Sequence, residues 1–276
     1  MVSQSEPTAS DPTVVGDRRR LFASFAGIAV DERCRGLLLA LVLVAGDAIA
    51  GAPFRTDDPG VVDHGHFELL PFYSQTKAGT GRSGALPGLE IHYGAVESVE
   101  LDLVLSAAFA TPPGMGTQRG YGDTEIDIKY QFIAETDTMP AIGFVPNFIL
   151  PTGNADRGLG NGGSQVFLPL WMLKSWDRLT TYGGGGYWVN NGPGNRNYWF
   201  FGWQAQYQLS ESWTLGGEVF HSTPQTAGQG ASTGFSVGGF FQIHPNSQLL
   251  FSAGKGLQNA AQTNRVSTYI GCLISF

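Results

Sequence analysis

The sequence predicts an all-β fold, a transmembrane antiparallel up-and-down β-barrel of about 12 strands. Three observations predict this fold: an export signal, segments of about ten residues that alternate in polarity, and connections that alternate in length. The composition agrees, because glycine supplies 39 of 276 residues and aromatic side chains 12%, whereas charged residues make up 14%. A disordered chain would contain more charge and fewer aromatic residues.

The composition also excludes several other classes of protein. Two cysteines cannot build a disulfide scaffold. Glycine at this frequency disfavours a helical bundle, because each glycine inside a helix costs about 1 kcal/mol relative to alanine. The formal net charge of -7 argues against a nucleic-acid partner, which would require a basic surface.

The first 50 residues contain the predicted export signal. Its apolar run, Leu37 to Ala45, follows two arginines and is followed by Ala48-Ile49-Ala50. This order of basic, apolar and small residues is typical of a secretory signal peptide, and the run is far shorter than the roughly 20 residues of a spanning helix. We therefore predict cleavage after Ala50, with residues 1–32 an overlong basic region or the product of a start codon assigned too early.

The remaining chain divides into two predicted parts. Residues 51–65 are expected to form a periplasmic lead-in, and residues 66–276 the barrel. Alternation is clearest near residue 128, where every second residue is apolar while Glu125, Asp127, Lys129 and Gln131 lie between them. The same pattern predicts strands at 66–76, 86–96, 98–110, 121–134, 139–152, 164–175, 178–190, 197–210, 212–223, 233–244, 247–257 and 265–276.

Connection lengths support a barrel over a soluble sandwich. Outer-membrane barrels have short periplasmic turns and longer external loops. Short connections are predicted at 97–98, 135–138, 176–177, 210–211 and 245–246, and longer ones near 77–85, 111–120, 153–163, 191–196, 224–232 and 258–264. The last strand ends at Phe276, and a terminal Phe on an alternating strand resembles the signal that the outer-membrane assembly machinery reads, so we expect this machinery as a partner. The six tryptophans, many near strand ends, are expected to form interfacial girdles in contact with outer-membrane lipid.

Ten polar side chains are predicted to line the pore, because charge on the lipid face costs about 2–4 kcal/mol at mid-depth. They are Glu90, His92, Glu100, Asp102, Glu125, Asp127, Lys129, Gln204, Gln206 and Glu218. One interpretation is a mildly acidic passage that favours neutral or cationic solutes. The other is a network in which Lys129, Lys174, Lys255 or Arg265 neutralises the carboxylates. A barrel of twelve strands is intermediate between eight strands, whose interior side chains can fill, and sixteen strands, which leave an open channel. We therefore expect a narrow or partly plugged lumen.

Gly183–Gly186 removes four successive side chains from one predicted strand. The run could leave space in the lumen, or it could allow close packing against neighbouring aromatic residues, and we favour the packing interpretation.

No catalytic, cofactor or metal site is predicted. Asp57-Asp58-Pro59 and His64-Gly65-His66 carry possible metal ligands but no evident tetrahedral set, and we interpret them as a solvated lead-in. His221-Ser222 cannot form a catalytic pair, because adjacent residues of a strand point to opposite faces. His244 and Ser236 lie too far apart along one strand to touch. The sequence therefore predicts a protein that is not an enzyme.

Short motifs carry a resemblance to a known family. Phe54-Arg55-Thr56-Asp57-Asp58-Pro59 followed by His66-Phe67-Glu68, the segment Tyr121–Glu125, and Leu150-Pro151-Thr152-Gly153 resemble bacterial outer-membrane proteins assigned to transport in the meta-pathway of phenol degradation. The resemblance covers most of residues 54–276. The long N-terminal extension and the Gly183–Gly186 run depart from the family pattern.

The resemblance implies a barrel that passes hydrophobic or aromatic compounds, without catalytic residues. We therefore expect a channel in the outer membrane that carries a small-molecule solute passively. The alternative is a structural or adhesive barrel with a closed lumen that acts through its external loops.

Overall fold

The computed structural model describes residues 51–276, and the predicted signal peptide lies outside the described residues. Within this part the chain forms fourteen strands and a short 3-10 helix, Ala155–Arg157. The strands are Phe67–Ala78 (β1), Gly81–Val96 (β2), Val99–Thr111 (β3), Gln118–Tyr121 (β4), Thr124–Ile133 (β5), Ala141–Phe144 (β6), Asn147–Leu150 (β7), Gln165–Trp176 (β8), Leu179–Asn190 (β9), Tyr198–Gln208 (β10), Trp213–Ser222 (β11), Ser232–His244 (β12), Ser247–Gln258 (β13) and Val266–Ser275 (β14). Among the described residues, no helix is long and apolar enough to cross a membrane.

All of these strands belong to one closed antiparallel sheet. β1 pairs with β14, for example through Glu68 opposite Ser275 and Lys77 opposite Val266, and this pairing closes the ring. β4 and β5 both pair with β3, and β6 and β7 both lie between β5 and β8, so each couple is one barrel strand with an interruption. The result is a barrel of 12 strands, which confirms the predicted fold class.

The two interruptions occur where the chain makes other contacts. Between β4 and β5, the Asp123 carboxylate accepts the backbone N–H groups of Gly153 and Asn161 at 2.9 and 2.6 Å. The long connection between β7 and β8 is thereby tied to the barrel wall. Between β6 and β7 stands Pro146, which has no N–H to donate to a ladder. Its carbonyl still accepts the N–H of Ile128 in β5, so the neighbouring strand keeps its place.

Connections alternate in length, with two exceptions. One is the turn after β1, and the other is the connection between β5 and β6, which was predicted to be short at 135–138 but spans 134–140 and is longer than 112–117. Two-residue turns such as 97–98, 177–178 and 245–246 lie at one end of the barrel, which we call the turn end. The opposite end, the loop end, carries longer connections such as 151–164 and 223–231.

The loop predicted at 77–85 is wrong. β1 runs to Ala78 and β2 starts at Gly81, so a two-residue turn joins them. Gly84 lies within the predicted loop, yet it pairs with Gln75 in the ladder. A Cβ at this position would overlap the carbonyl oxygen of Ser74, so the close approach of β1 accounts for the glycine.

Apolar side chains cover the outside of the barrel, and charged side chains lie within it. In β5, Ile126 is 40% exposed whereas the next residue, Asp127, is 8% exposed. The same contrast recurs around the ring, where the exposed apolar residues include Leu101, Leu168, Leu170, Trp199, Phe201, Trp203, Leu215, Val219, Val237 and Ile270. An apolar outside with a polar inside is the arrangement of a barrel that spans lipid.

Two clusters of buried apolar side chains lie inside the barrel. The first joins Phe54, Leu70, Phe240, Leu250 and Leu273. Because β1 and β13 begin at the turn end and β14 ends there, this cluster lies toward the turn end. The second cluster is mainly aromatic and lies on the neighbouring wall formed by β8, β10 and β11; it contains Val145, Phe167, Trp171, Phe200 and Phe220.

Candidate functional site in the barrel lumen

Residues 51–65, here called the plug segment, lie against the inner wall of the barrel. Thr56 is 0% exposed and Asp58 is 2% exposed, so the expectation of a solvated lead-in is wrong for these residues. The physical reason is that the inner wall offers charged partners that a short polar segment can satisfy, which sequence periodicity does not show. Gly65 is hydrogen-bonded to Gly94 near the turn end, so the segment returns to that end before β1 starts.

The tip of the plug segment is held by one carboxylate of β11. Glu218 accepts the backbone N–H groups of Arg55 and Thr56 at 2.9 to 3.0 Å, and the Thr56 hydroxyl at 2.8 Å. The Arg55 guanidinium lies 4.8 Å from the ring centre of Phe220, two residues further along the strand. Because Glu218 is near the middle of β11, the tip reaches about half the depth of the barrel.

The return limb of the plug segment is held by β3 and β5. The Lys129 ammonium donates to Asp57 Oδ1 at 2.9 Å. The Gln131 amide donates to the carbonyl of Pro59 at 3.2 Å. Glu100 Oε2 accepts the N–H of Val62 at 2.5 Å. Hydrogen bonds to charged groups are each worth about 1.5–3 kcal/mol, so these contacts specify one position for the segment.

The entering limb is held mainly by apolar contact. Phe54 packs in the cluster near the turn end, and Ser252 of β13 donates its hydroxyl hydrogen to the carbonyl of Pro53 at 2.5 Å. The plug segment therefore contacts β3, β5, β11 and β13, which lie on different sides of the ring.

Three glycines of the wall make room for the plug segment. A Cβ at Gly202 would overlap the Thr56 hydroxyl, and one at Gly94 would overlap the carbonyl of Asp63. At Gly143 it would lie 2.8 Å from the Cβ of Pro59. Since real side chains cannot approach this closely, the inner wall matches the path of the segment.

The predicted pore-lining residues all belong to the barrel wall, but most of them contact other side chains or the plug segment. His92, Glu100, Asp102, Asp127, Lys129, Gln204 and Glu218 are buried, and Glu90, Glu125 and Gln206 are partly buried. Gln204 donates to Gln206 at 3.1 Å, and His92 contacts Asp102 at 2.9 Å. Lys174, one of the four cations named in the ion-pair interpretation, bonds Glu135 beside the connection between β5 and β6 and none of the ten predicted residues.

A cavity of about 330 Å³ borders the tip of the plug segment. One wall is aromatic: Phe167 stacks on Trp188 with ring centres 4.6 Å apart, and Trp188 stacks on Tyr198 at 5.7 Å. Trp171 and Phe200 extend this wall with edge-on contacts to Phe167. The other wall is polar and consists of Arg55, Asp57, Glu125, Asn147 and Gln225.

A second cavity, of about 310 Å³, lies toward the loop end and shares Arg55 and Gln225 with the first. Its lining is largely polar and includes Arg82, Thr111 and Gln262. Arg55 and Gln225 therefore line both cavities, one beside the tip of the plug segment and the other toward the loops.

The glycine run of β9 allows aromatic rings to pack on both faces of the wall. A Cβ at Gly183 or Gly185 would lie 2.5 Å from the rings of Trp203 or Phe201, which are exposed on the outside. At Gly184 it would lie 3.0 Å from the ring of the buried Trp171. These contacts favour the interpretation of close packing against aromatic residues.

Sequence reasoning did not find the aromatic wall. Trp171 and Trp188 were expected in girdles at the membrane interface, and this is wrong because both line the cavity. Phe167 and Trp171 alternate with Leu168 and Leu170, so both faces of β8 are apolar and alternation cannot distinguish them. The ring contacts across β8, β9 and β10 follow only from the strand register.

The histidine and serine pairs have the geometry expected from strand alternation. Ser222 is buried inside the barrel, whereas His221 bonds the Thr233 hydroxyl at 2.8 Å on the other face of the strand. Ser236 is buried and His244 is exposed at the end of β12. Ser222 and His221 therefore lie on opposite faces of β11, and Ser236 and His244 lie eight residues apart in β12.

Comparisons with known proteins agree with the architecture. A family model described as "Putative MetA-pathway of phenol degradation" matches residues 72–268. The KdgM porin, also solved in complex with disordered oligogalacturonate, matches with a TM-score of 0.53 and 11% identity over 76% of this chain and 99% of that one. The NanC porin matches with a TM-score of 0.51 and 8% identity over 76% of this chain and 98% of that one. A comparison with curated proteins finds no match.

Proposed function

The chain belongs to the family of the MetA-pathway of phenol degradation, and from this premise we propose that it is an outer-membrane channel for small aromatic compounds. The observation that carries the proposal is the luminal cavity with five aromatic rings on one wall and polar groups on the other. At about 330 Å³ it falls within the range of about 300–1,000 Å³ that small-molecule sites occupy.

The chemistry of the two walls favours a flat ring that carries a polar substituent. Trp188 and its stacked neighbours offer ring faces, against which an aromatic solute gains about 0.5–1.5 kcal/mol beyond burial of its area. Arg55, Asn147 and Gln225 offer hydrogen-bond donors across the cavity. The solute would enter through the second, polar cavity at the loop end and pass toward the periplasm when the plug segment moves.

The remaining parts of the proposal concern export and assembly. The signal peptide would be cleaved after Ala50, which would leave the plug segment near the mature N-terminus. The strand that ends at Phe276 would be read by the assembly machinery, and Phe276 pairs with Phe67 through backbone hydrogen bonds of 2.9 and 3.3 Å. Passage would be passive, without a cofactor or a chemical step, and the partners would be outer-membrane lipid and the solute.

Block of ion current in planar bilayers tests the proposal. Phenol and cyclohexanol are matched probes, because they are similar in size and differ in aromaticity. We expect phenol to interrupt the current at lower concentration than cyclohexanol. Equal block by both probes, or no ion current at all from the refolded protein, would overturn the proposal.

A matched pair of variants localises the effect to the cavity. Trp188 lies on the inner face of β9, and Trp199 is exposed on the outer face of the adjacent β10. Trp188→Ala should remove the preference for phenol, whereas Trp199→Ala should keep it. Loss of the preference in both variants would indicate a general effect on the barrel and would contradict recognition in the lumen.

A further inference from the structure

His92, Glu100 and Asp102 form a buried cluster on the inner wall, apart from the aromatic cavity. Their exposed fractions are 5%, 0% and 5%. In the ladder between β2 and β3, His92 is directly opposite Asp102, and Gly94 is opposite Glu100. Residues two apart on a strand share a face, so the register brings all three side chains together.

The distances between their ligand atoms suit coordination of one ion. His92 Nδ1 lies 2.9 Å from Asp102 Oδ1 and 3.3 Å from Glu100 Oε1. Two ligands bound to one metal at about 2.1 Å, with an angle between about 90° and 110°, are separated by roughly 3.0 to 3.4 Å. A single hydrogen on Nδ1 can bond well to one of the two carboxylates, which leaves the second without a donor.

Two buried carboxylate oxygens in or beside the cluster have no hydrogen-bond partner. Within residues 51–276, Glu100 Oε1 and Asp127 Oδ1 are buried and have no hydrogen-bond partner. Asp127 is the partner of Asp102 in the ladder between β3 and β5, so it adds a carboxylate beside the cluster. The nearby Lys129 ammonium is already bonded to Asp57. Buried carboxylates normally either pair with a positive charge or coordinate a metal. A divalent ion bound to the cluster would supply both the positive charge and the coordination.

We propose that His92 Nδ1, Glu100 Oε1 and Asp102 Oδ1 bind one divalent metal ion of the Zn²⁺ or Mn²⁺ class. A ligand set with one imidazole and two carboxylates suits these ions better than Mg²⁺ or Cu⁺. Glu90 Oε2 lies 3.7 Å from His92 Nε2, so a further carboxylate is close to the ring nitrogen that would not bind the ion.

The proposed ion would also join the plug segment to the wall. Glu100 supplies Oε1 to the cluster, and its other oxygen, Oε2, accepts the N–H of Val62. One carboxylate therefore connects the site to the return limb of the plug segment. The inference is independent of the proposed transport of aromatic compounds, because it concerns other residues and another ligand.

Metal titration of the refolded full barrel in detergent tests the site. After removal of metal with a chelator, Mn²⁺ should bind at one ion per chain, measured as loss of the aqueous Mn²⁺ signal in electron paramagnetic resonance, and Zn²⁺ should displace it. His92→Gln and Asp102→Asn should each weaken binding by more than about tenfold. His64→Gln removes an exposed imidazole of the plug segment and should leave binding unchanged.

Two further readouts keep the test decisive. Heat-modifiable mobility in gels identifies the variants that fold, so that loss of binding is judged on folded barrels only. In the unmodified protein, electron spin echo spectra of bound Mn²⁺ should show coupling to an imidazole nitrogen. The proposal is overturned by absence of stoichiometric Mn²⁺ binding, by bound Mn²⁺ without nitrogen coupling, or by a folded His92→Gln variant that binds as tightly as the unmodified protein.

Discussion

Glu218 and Thr56 meet inside the barrel although 162 positions separate them in the chain. Glu218 Oε2 accepts the backbone N–H of Thr56 at 2.9 Å and its hydroxyl hydrogen at 2.8 Å. The N–H of Arg55 points at both oxygens of the same carboxylate, at 3.0 Å each. One side chain of the wall thus satisfies the donors at the tip of the plug segment.

We propose that the plug segment in this position is the closed state of the channel, so substitution Glu218→Gln should favour opening. The amide keeps one acceptor oxygen and places a donor where the N–H groups point, so at least one hydrogen bond to a charged group is lost. Such a bond is worth about 1.5–3 kcal/mol, which corresponds to an increase of roughly tenfold or more in the ratio of open to closed states. Single-channel recording measures this ratio.

Glu211→Gln is the matched control for that experiment, because Glu211 is exposed in the connection between β10 and β11. It should behave like the unmodified protein. Equal open probability in Glu218→Gln and the control would show that the tip contact does not hold the closed state.

A side chain at Gly202 should displace the plug segment by steric overlap. A Cβ there would lie 2.2 Å from the Thr56 hydroxyl oxygen, and the branched side chain of Gly202→Val would extend further into the tip. We expect a folded barrel with a larger ion current than the unmodified protein. We also expect an added protease to cleave the plug segment faster than in the unmodified protein. Gly116→Ala, in a loop position with open space around it, is the control and should change neither readout.

The fold could be predicted from sequence because a lipid surface imposes a local rule. Ile126 and Asp127 are adjacent, yet one faces the outside and the other the lumen, and this period of two is visible in the sequence. The contact of His92 with Asp102 does not follow from the two-residue turn at 97–98 alone. That turn would place His92 opposite Leu103, and a register shift between Gly94 and Val96 brings it opposite Asp102.

The contents of the lumen could not be predicted in this way. Thr56 and Glu218 are joined by a long-range contact that leaves no periodic pattern. Phe167 alternates with leucine, so both faces of its strand are apolar and the inner face carries no signal. Periodicity reports which environment each face of a strand meets, whereas the lumen is shaped by contacts among residues from distant strands.

Loss of the Lys129 ammonium should destabilise the barrel. Lys129 is 3% exposed and donates to Asp57 Oδ1 at 2.9 Å and to the carbonyl of Asp58 at 3.4 Å. Lys129→Met leaves buried carboxylate charge without its partner, which costs about 3–5 kcal/mol. Thermal unfolding in detergent, followed by circular dichroism, measures the loss.

Two companion variants separate charge from packing in that experiment. Asp57→Asn combined with Lys129→Met removes both charges and should recover part of the stability. Lys174→Met breaks a partly exposed pair with Glu135 and should cost no more than about 1 kcal/mol. A double variant less stable than Lys129→Met alone would contradict a pairwise role for the two charges.

The plug segment should be held more tightly against the inner wall in acid than at neutral pH. Burial raises the pKa of Asp58 from its ordinary value of 3.8 to about 7; the Lys129 ammonium opposes the rise, and Asp57 and Glu100 add to it. Asp58 Oδ1 accepts the N–H of Gly60 at 2.7 Å, whereas Oδ2 has no partner within residues 51–276. The buried carboxyl therefore favours its protonated form.

The sign of the pH dependence follows from this raised pKa. The buried Asp58 holds its proton over a range in which a solvated aspartate has lost it, so its contribution to the closed state is complete below about pH 4 and disappears as the pH rises through about 7. Open probability should consequently increase between pH 5 and pH 8.

Asp58→Asn should flatten this profile, because the amide does not titrate. Asp63→Asn changes an exposed aspartate of the same segment and should retain the profile. Recording at several pH values decides the matter: an open probability that rises toward acid, or an Asp58→Asn profile that matches the unmodified protein, would show that Asp58 does not set the stability of the closed state.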